Sequence, residues 1–287
     1  MKECVILINT CNRATECCLL LQSLRTQKYQ DFDVFILEDK SNIPLPNFHF
    51  YNCLITRMKL ENHKVFYRET PFNYGVSKAR QEIVNWARES NYKLFARLDD
   101  DVIIESDFLS RLKKIINKGY DLASGVTAPM MLSTIKRDPK YLNGIINRVI
   151  LDDNGNYVMN GDDCGIQYNK SVILPAHHFR SSAMYKSEIH NKVNYTPTKL
   201  SKHGFREEQI FSYKLLMNGY KIGVDTQAMA WHQITPSGGE RSFGDTIGLN
   251  QQVLEEFTKE YKEQLNKLFI KYNFPTKQEL MKQTNLR

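Results

Sequence analysis

Residues 93–105, Lys-Leu-Phe-Ala-Arg-Leu-Asp-Asp-Asp-Val-Ile-Ile-Glu, carry an apolar segment into three consecutive acids, Asp99, Asp100 and Asp101, and out again into an apolar trio. Tyr92 to Leu98 is short, aromatic and apolar with no helical period, which suits a strand buried in a sheet, so the acids emerge where that strand ends. Asp99 and Asp101 stand two apart. On an extended chain they point the same way, and a divalent cation is the natural compensation for two like charges held together. Arg97, just before them, offers a fork of donors suited to phosphate. Open α/β sheets bind ligands beyond the carboxyl ends of their strands, where this cluster falls. The competing reading is a solvated acidic turn leading into a helix, whose N-terminal dipole acids complement.

Upstream, Val5 to Ile8 is a β-branched apolar run closed by Asn9-Thr10-Cys11-Asn12-Arg13, with a leucine-rich helical segment behind it. Val34 to Leu37 ends in Glu38-Asp39-Lys40-Ser41-Asn42, a Pro-containing loop follows, and Lys64 to Tyr67 leads to Asn73-Tyr74-Gly75. Val76 to Ser90 has apolar Ala79, Ile83, Val84 and Ala87 at helical spacing. Strands alternating with helices predict βαβ units and a mostly parallel sheet, which gathers the four polar clusters along one edge.

Downstream, Phe108 to Asn117 is predicted as a helix stopped by Gly119, and Asp121 to Thr127 as a strand. From about Pro129 to Lys199 the chain shows a hairpin signal at Asp152-Asp153-Asn154-Gly155, scattered aromatics and no long helix. Phe205 to Asn218 is again helical, Tyr220 to Val224 and Ala228 to Trp231 suggest two short strands, and Leu249 to Tyr272 suggests one amphipathic helix. The expected organisation is a βαβ half at residues 1–128, an antiparallel, loop-rich half of the same domain at 129–248, and a C-terminal helical extension at 249–287.

The 287 residues carry 41% hydrophobic content, enough for a real core. No stretch approaches the ~18 apolar residues of a membrane span, and the N-terminal apolar run is too short for a signal peptide, so a cytoplasmic location, or host cytoplasm for a viral chain, is expected. Six cysteines without paired CxxC spacing point to free thiols rather than disulfides or zinc. A net charge of +7 favours anionic partners without choosing among them.

Several residues carry chemistry beside a plainer reading. Asp39 can accept from the ring N–H of a planar base, or simply form a turn with Ser41 and Asn42. Arg80 can reach a diphosphate, or solvate a helix face. Glu207 and Glu208 open a helix, where they serve as a general base or complement its dipole. His232 ends a strand and, with the acids, makes a third ligand for manganese or a similar metal. The tandem His177-His178 has no metal-ligand spacing and suggests a loop feature or an acceptor contact.

Together these clusters resemble the family 2 glycosyltransferases of the GT-A fold, from residue 5 to about residue 241. Val-Ile-Leu-Ile-Asn-Thr-Cys-Asn-Arg at 5–13 is similar to the family's opening strand and Thr-x-Asn-Arg loop, and Asp39 stands at its base-binding acid, with Glu38 and Lys40 replacing the usual Asp and Gly. Asn73-Tyr74-Gly75-Val76-Ser77-Lys78-Ala79-Arg80 matches Asn-x-Gly-x-x-x-Ala-Arg, and Ala96 to Asp101 matches the DXD segment. Gly204-Phe205-Arg206-Glu207-Glu208 falls on the family's acidic pair, whose second member is the base. The resemblance implies a Rossmann-like, mostly parallel sheet flanked by helices, with residues 1–128 the nucleotide-sugar-binding half and 129–248 the acceptor half. It implies inverting transfer from a nucleoside-diphosphate sugar, a UDP-sugar at first choice, to a hydroxyl of a glycan, lipid, protein or nucleic-acid base.

Asp99, Asp101 and His232 would hold Mn2+ or Mg2+. Glu208 would be the base, with Glu207 the neighbouring candidate. Thr10, Asn12, Arg13, Asp39, Asn73, Gly75, Arg80, Arg97 and Asp100 would line the donor, and Gly238-Gly239 would order as a lid. Two other classes compete. A sugar-nucleotide nucleotidyltransferase would carry a glycine-rich phosphate loop near the first strand, whereas Thr10-Cys11-Asn12-Arg13 has no glycine. A non-catalytic nucleotide- or nucleic-acid-binding module would interleave aromatic and basic residues and would not need Asp99, Asp101 and Glu208 together.

Overall fold

The computed structural model describes residues 2–131, 135–153, 155, 157–159, 166–195, 206–236, 246–276 and 279. The first half alternates as the sequence predicts. Strand β1 (Cys4–Thr10) leads to helix α1 (Ala14–Arg25), β2 (Phe32–Glu38), α2 (His49–Leu60), β3 (Val65–Glu69), α3 (Val76–Arg88) and β4 (Leu94–Asp99). A short β5 (Val102–Ile104), helix α4 (Phe108–Asn117) and β6 (Leu122–Pro129) follow. Helix α2 occupies part of what the sequence suggested was loop; its buried Tyr51, Leu54 and Met58 recur at helical spacing, but polar neighbours dilute the pattern.

Beyond β6 come two small pairs, β7 (Ile135–Arg137) with β10 (Ile166–Tyr168), and β8 (Val149–Leu151) with β9 (Tyr157–Met159). The second pair is antiparallel and flanks the predicted Asp152–Gly155 hairpin, of which Asn154 lies outside the described residues. Then β11 (Ile173–Ala176), β12 (Ala183–Lys186), α5 (Glu207–Met217), β13 (Ile222–His232), α6 (Thr246–Glu260) and α7 (Lys262–Tyr272) complete the chain. The two strands expected near Tyr220 and Trp231 are one strand with a register shift between Val224 and Met229. Asp225, buried in the irregular stretch, accepts from Ser171, Arg111 and the Gln227 amide, which satisfies the backbone that leaves the ladder. The single C-terminal helix expected breaks at Tyr261 into α6 and α7, Tyr261 stacking on Phe257.

Nine strands form the main sheet among the described residues, in the order β11-β13-β6-β12-β4-β1-β2-β3 with β5 against β13. β1, β2, β3 and β4 are mutually parallel, as are β6 and β13; β12 enters antiparallel between β4 and β6. Alternate residues of β1 feed two cores. Val5 and Leu7 pack with α3, α5, α6 and α7, while Ile6 and Ile8 pack with α1, α2 and α4. Burial on both faces is why these strands appear as continuous apolar runs. Among the described residues no helix is long and apolar enough to cross a membrane, and Cys4, Cys11, Cys17, Cys18 and Cys53 are free thiols.

Candidate functional site

The register of the parallel strands sets Thr10 beside Glu38 and Asn9 beside Asp99, so the polar clusters at the strand ends meet at one edge. The first two turns are stitched together. Asp39 donates its amide to the Thr10 carbonyl at 2.7 Å, the Asn12 amide donates to Ser41 Oγ at 2.7 Å, and Asn12 Oδ1 accepts from the Asn42 amide at 2.6 Å. Asn12 adopts φ 52°, the left-handed conformation that Asn tolerates best after Gly.

Asp39 is buried and binds the third turn. Its oxygens accept from the Tyr74 amide at 2.7 Å, the Gly75 amide at 2.9 Å and Thr70 Oγ1 at 3.1 Å, while Asn73 Nδ2 donates to the Asp39 carbonyl at 3.2 Å. Gly75, at φ 78°, lets the chain turn from this cradle into α3; a Cβ there would be strained. Asp39, Asn73 and Gly75 are thus brought together as one unit.

The acid turn divides. Asp101 Oδ2 lies 3.1 Å from His232 Nε2 and 2.9 Å from Arg13, because β13 pairs with β5 and sets His232 opposite Val102. Arg13 also reaches Asp100 Oδ1 at 3.0 Å, and its other nitrogens donate to the Pro236 and Thr235 carbonyls at 3.1 and 2.9 Å. Asp99 turns the other way. Its Oδ1 accepts from Arg80 at 2.6 Å and lies 3.5 Å from Arg97. Carboxylate oxygen beside imidazole nitrogen makes Asp101 and His232 the residues that could hold a divalent cation, although Arg13 occupies the same Asp101 oxygen. Asp99, as placed, serves the arginines, and among the described residues no group of three or more His, Cys, Asp or Glu is arranged to hold an ion. Burial works against a charged His232, yet the hydrogen bond and charge of Asp101, with Asp99 behind it, raise its pKa above the ordinary value.

Arg80 and Arg97 were expected to face phosphate. Both instead face carboxylates. Arg97 donates to Glu207 Oε1 at 2.6 Å, Glu207 Oε2 at 3.2 Å and Glu208 Oε1 at 2.8 Å, while Arg80 Nε lies 2.7 Å from Glu207 Oε1. The rings of Phe179 and Tyr195 stand 5.5 and 5.8 Å from the Arg97 guanidinium carbon. Two guanidinium groups therefore bind Asp99, Glu207 and Glu208, three acids that would otherwise repel. The glutamates differ in access: the Glu207 side chain is 4% exposed and Glu208 23%. Burial pushes the Glu207 carboxyl up against the pull of Arg80 and Arg97. Burial likewise opposes charge on Glu208, but Arg97 and Arg80 hold it below its ordinary value despite repulsion from Asp99. Arg206 precedes the pair at φ 60°, and the acids fill the positive first turn of α5.

All of the predicted site residues lie in this connected edge. The sequence did not indicate that Arg13 ties the acid turn to Thr235 and Pro236, nor that Phe179 and Tyr195 pack on Arg97. Their only signal was aromatic residues in the loop-rich half. His177 is not at an acceptor surface; it is buried against Phe274 and accepts from the Val149 amide at 3.2 Å. Gly204, Gly238 and Gly239, including the proposed lid, lie outside the described residues.

The profile of the family described as "Glycosyl transferase family 2" matches residues 5–174. No curated protein matches the chain in sequence. Among solved structures, S. aureus TarS 1-349 aligns with TM-score 0.54 at 16% identity, over 81% of this chain and 60% of that one. GalNAc-T7 with UDP, GalNAc and Mn2+ aligns with TM-score 0.60 at 12% identity, over 98% of this chain and 57% of that one. The mannosyltransferase PcManGT from Pyrobaculum calidifontis, in complex with GDP-Man and Mn2+, aligns with TM-score 0.54 at 14% identity, over 82% and 57%. These likenesses establish a shared fold. The chain spans less than two-thirds of the length of each of these three structures.

Proposed function

The chain belongs to glycosyl transferase family 2, and from that premise we propose that it moves a sugar from a nucleoside diphosphate, uridine diphosphate at first choice, to an acceptor hydroxyl with inversion at the anomeric carbon. The observation that carries this reading is the Arg97-held pair Glu207 and Glu208, with Glu208 the accessible member, beside the Asp101–His232 pair. Fold alone would not license an activity; the reading rests on these residues.

Glu208 takes the proton of the acceptor hydroxyl as its oxygen bonds to the anomeric carbon, and the bond from that carbon to the diphosphate oxygen breaks with its electron pair leaving on the nucleoside diphosphate. Arg97 orients the Glu208 carboxylate through one hydrogen bond, leaving its other oxygen for the acceptor. Glu207 acts as the buried counter-charge that keeps Arg80 and Arg97 in place. Asp101 and His232 would hold a divalent ion, which when bound neutralises the diphosphate. Asp39 keeps the Asn73–Gly75 turn against the base site and takes the ring N–H of the base on a remaining lone pair. Arg13 positions the acid turn. Solved structures of similar fold include complexes with UDP and with GDP-Man, which supports a nucleotide-sugar donor.

The test is a screen of nucleotide sugars with Mn2+, reading release of free nucleoside diphosphate with and without candidate acceptors. Turnover of one donor, abolished by Glu208→Gln, is expected. Absence of both turnover and nucleotide binding across uridine and guanosine donors would remove the reading.

A further inference from the structure

At the opposite end of the sheet from the acids, an open cavity of about 580 Å³ lies where β1, β2 and β3 begin. Asp33, in its wall, and Asp39, at the functional edge, are joined by strand β2, so the two places are roughly 20 Å apart. We propose that this cavity is a second binding site, specific for a phosphate-bearing ligand.

The chemistry of the lining is one-sided. Lys2, Lys59 and Lys64 contribute three ammonium groups and Asn62 an amide. Asp33 is the only acid in the wall, and each of its oxygens is drawn inward: Oδ1 accepts from the Lys64 amide at 2.7 Å and Oδ2 from the Tyr92 hydroxyl at 2.7 Å. Glu61, next to the cavity in the same turn, is taken by Arg25 at 2.6 Å and Arg57 at 2.8 Å. Both ring nitrogens of buried His63 are engaged by neighbouring oxygens and turn away from the cavity. Its Nδ1 faces the Phe32 carbonyl and its Nε2 faces Gln30 Oε1, both at 2.7 Å. The Gln30 orientation is set by its own Nε2, which donates to the Gln27 and Arg25 carbonyls. The cavity thus presents donors and positive charge to whatever enters it, which selects an anion.

The lysines are displayed from a rigid frame. Lys64 is pinned to β2 on both sides, through its amide to Asp33 and its carbonyl to the Val34 amide at 2.9 Å. Asn62 closes the turn in the left-handed conformation at φ 69°. Neither the Lys59 nor the Lys64 ammonium has an acid or hydrogen-bond partner among the described residues, and Lys2 reaches only the Gln30 carbonyl at 3.1 Å. Phe66, 38% exposed, adds an apolar wall supported by Phe35 at 4.8 Å between ring centres. A ligand with a phosphate and a flat or apolar portion suits this surface. Two sources share that chemistry, a free phosphorylated metabolite and an anionic lipid headgroup.

The experiment titrates pyrophosphate, with chelator present so that no metal joins the functional edge, into the 15N-labelled full chain. Lipid is tested in parallel by cosedimentation with phosphatidylglycerol vesicles, using phosphatidylcholine vesicles as the reference. Saturable shifts of the Asn62, Lys64 and Phe66 amides with pyrophosphate identify a free phosphate ligand. Sedimentation with phosphatidylglycerol alone, without those shifts, identifies the headgroup. In either case Lys59→Glu/Lys64→Glu, two exposed positions whose exchange leaves melting unchanged, weakens binding by roughly tenfold or more. The proposal is overturned if neither probe engages these residues, or if the double variant binds both as the unaltered chain does.

Discussion

Arg97 spans both members of the acidic pair, with one nitrogen 2.6 Å from Glu207 Oε1 and 2.8 Å from Glu208 Oε1. A fully buried guanidinium is costly unless every charge around it is paired, so Arg97 and Glu207 form the electrostatic keel on which Glu208 is mounted. Arg97→Lys supplies charge but not the planar fork that meets two carboxylates at once. Transfer should fall roughly tenfold or more with the melting temperature also lowered. Unchanged kinetics in that variant would show that Glu208 is oriented by something else.

Glu207 and Glu208 should separate by type of defect. Glu208→Gln keeps size but cannot take a proton, so transfer should drop ~10²–10⁴-fold while nucleotide binding and thermal stability stay near those of the unaltered chain. Glu207→Ala leaves Arg80 and Arg97 facing a lost buried partner and should cost roughly 3–5 kcal/mol of stability. Kinetics and denaturant midpoints on both variants check this. A reversed pattern would move the base to Glu207.

Metal-dependent nucleotide binding should depend more on Asp101 and His232 than on Asp99. The first two face each other at 3.1 Å, whereas Asp99 is occupied by Arg80. Calorimetric titration of UDP, with Mn2+ and then with chelator, is expected to lose most of its metal-dependent affinity in Asp101→Asn and His232→Ala and less in Asp99→Asn. Equal binding with and without metal in the unaltered chain would take the ion out of the mechanism.

Asp39→Ala removes the acceptor of the Tyr74 and Gly75 amides and of Thr70. Because a base contact and the turn that frames it bind ground and transition states alike, donor KM should rise at least about tenfold while kcat changes by less than about threefold. Loss confined to kcat would contradict a donor-side role.

Acid should weaken the fold through two histidines away from the functional edge. His177 and His190 are buried, and burial, aided by Arg148 and Arg88 respectively, lowers each pKa from 6.5 to about 4. Between those values the unfolded chain binds more protons than the native one, so stability is present above about 6.5 and is lost as pH falls toward 4. The slope is at most about 1.4 kcal/mol per pH unit for each ring. Glu207, Asp100 and His232, all raised above their ordinary values, act in the opposite sense over this range, so the histidine contribution is read as a difference: urea midpoints measured at pH 7, 6 and 5 should fall further, or rise less, in the unaltered chain than in His190→Phe. Parallel profiles for the two chains would mean that the His190 ring accepts charge in place.

Strands β1 to β4 and β6 and helices α1, α3 and α4 are legible in the sequence, as is the gathering of the four polar clusters, whereas α2 is not. Runs such as Val5–Ile8 and Val34–Leu37 are buried on both faces, so they are legible as uninterrupted apolar segments, and parallel strands necessarily bring their carboxyl ends to one side. That is why the strand-end candidates, from Thr10 to His232, fall at one edge. Which of them touch depends on long-range packing. Arg80 and Arg97 turn to Glu207 rather than outward because β4 and α3 meet the first turn of α5, which is distant in sequence. His232 reaches Asp101 and not Asp99 because β5 pairs with β13, and β12 slips antiparallel between β4 and β6 although nothing in Ala183–Lys186 names its neighbours. A local pattern records how often a side chain is buried; its partner depends on strand order and register, which are properties of contacts between distant segments.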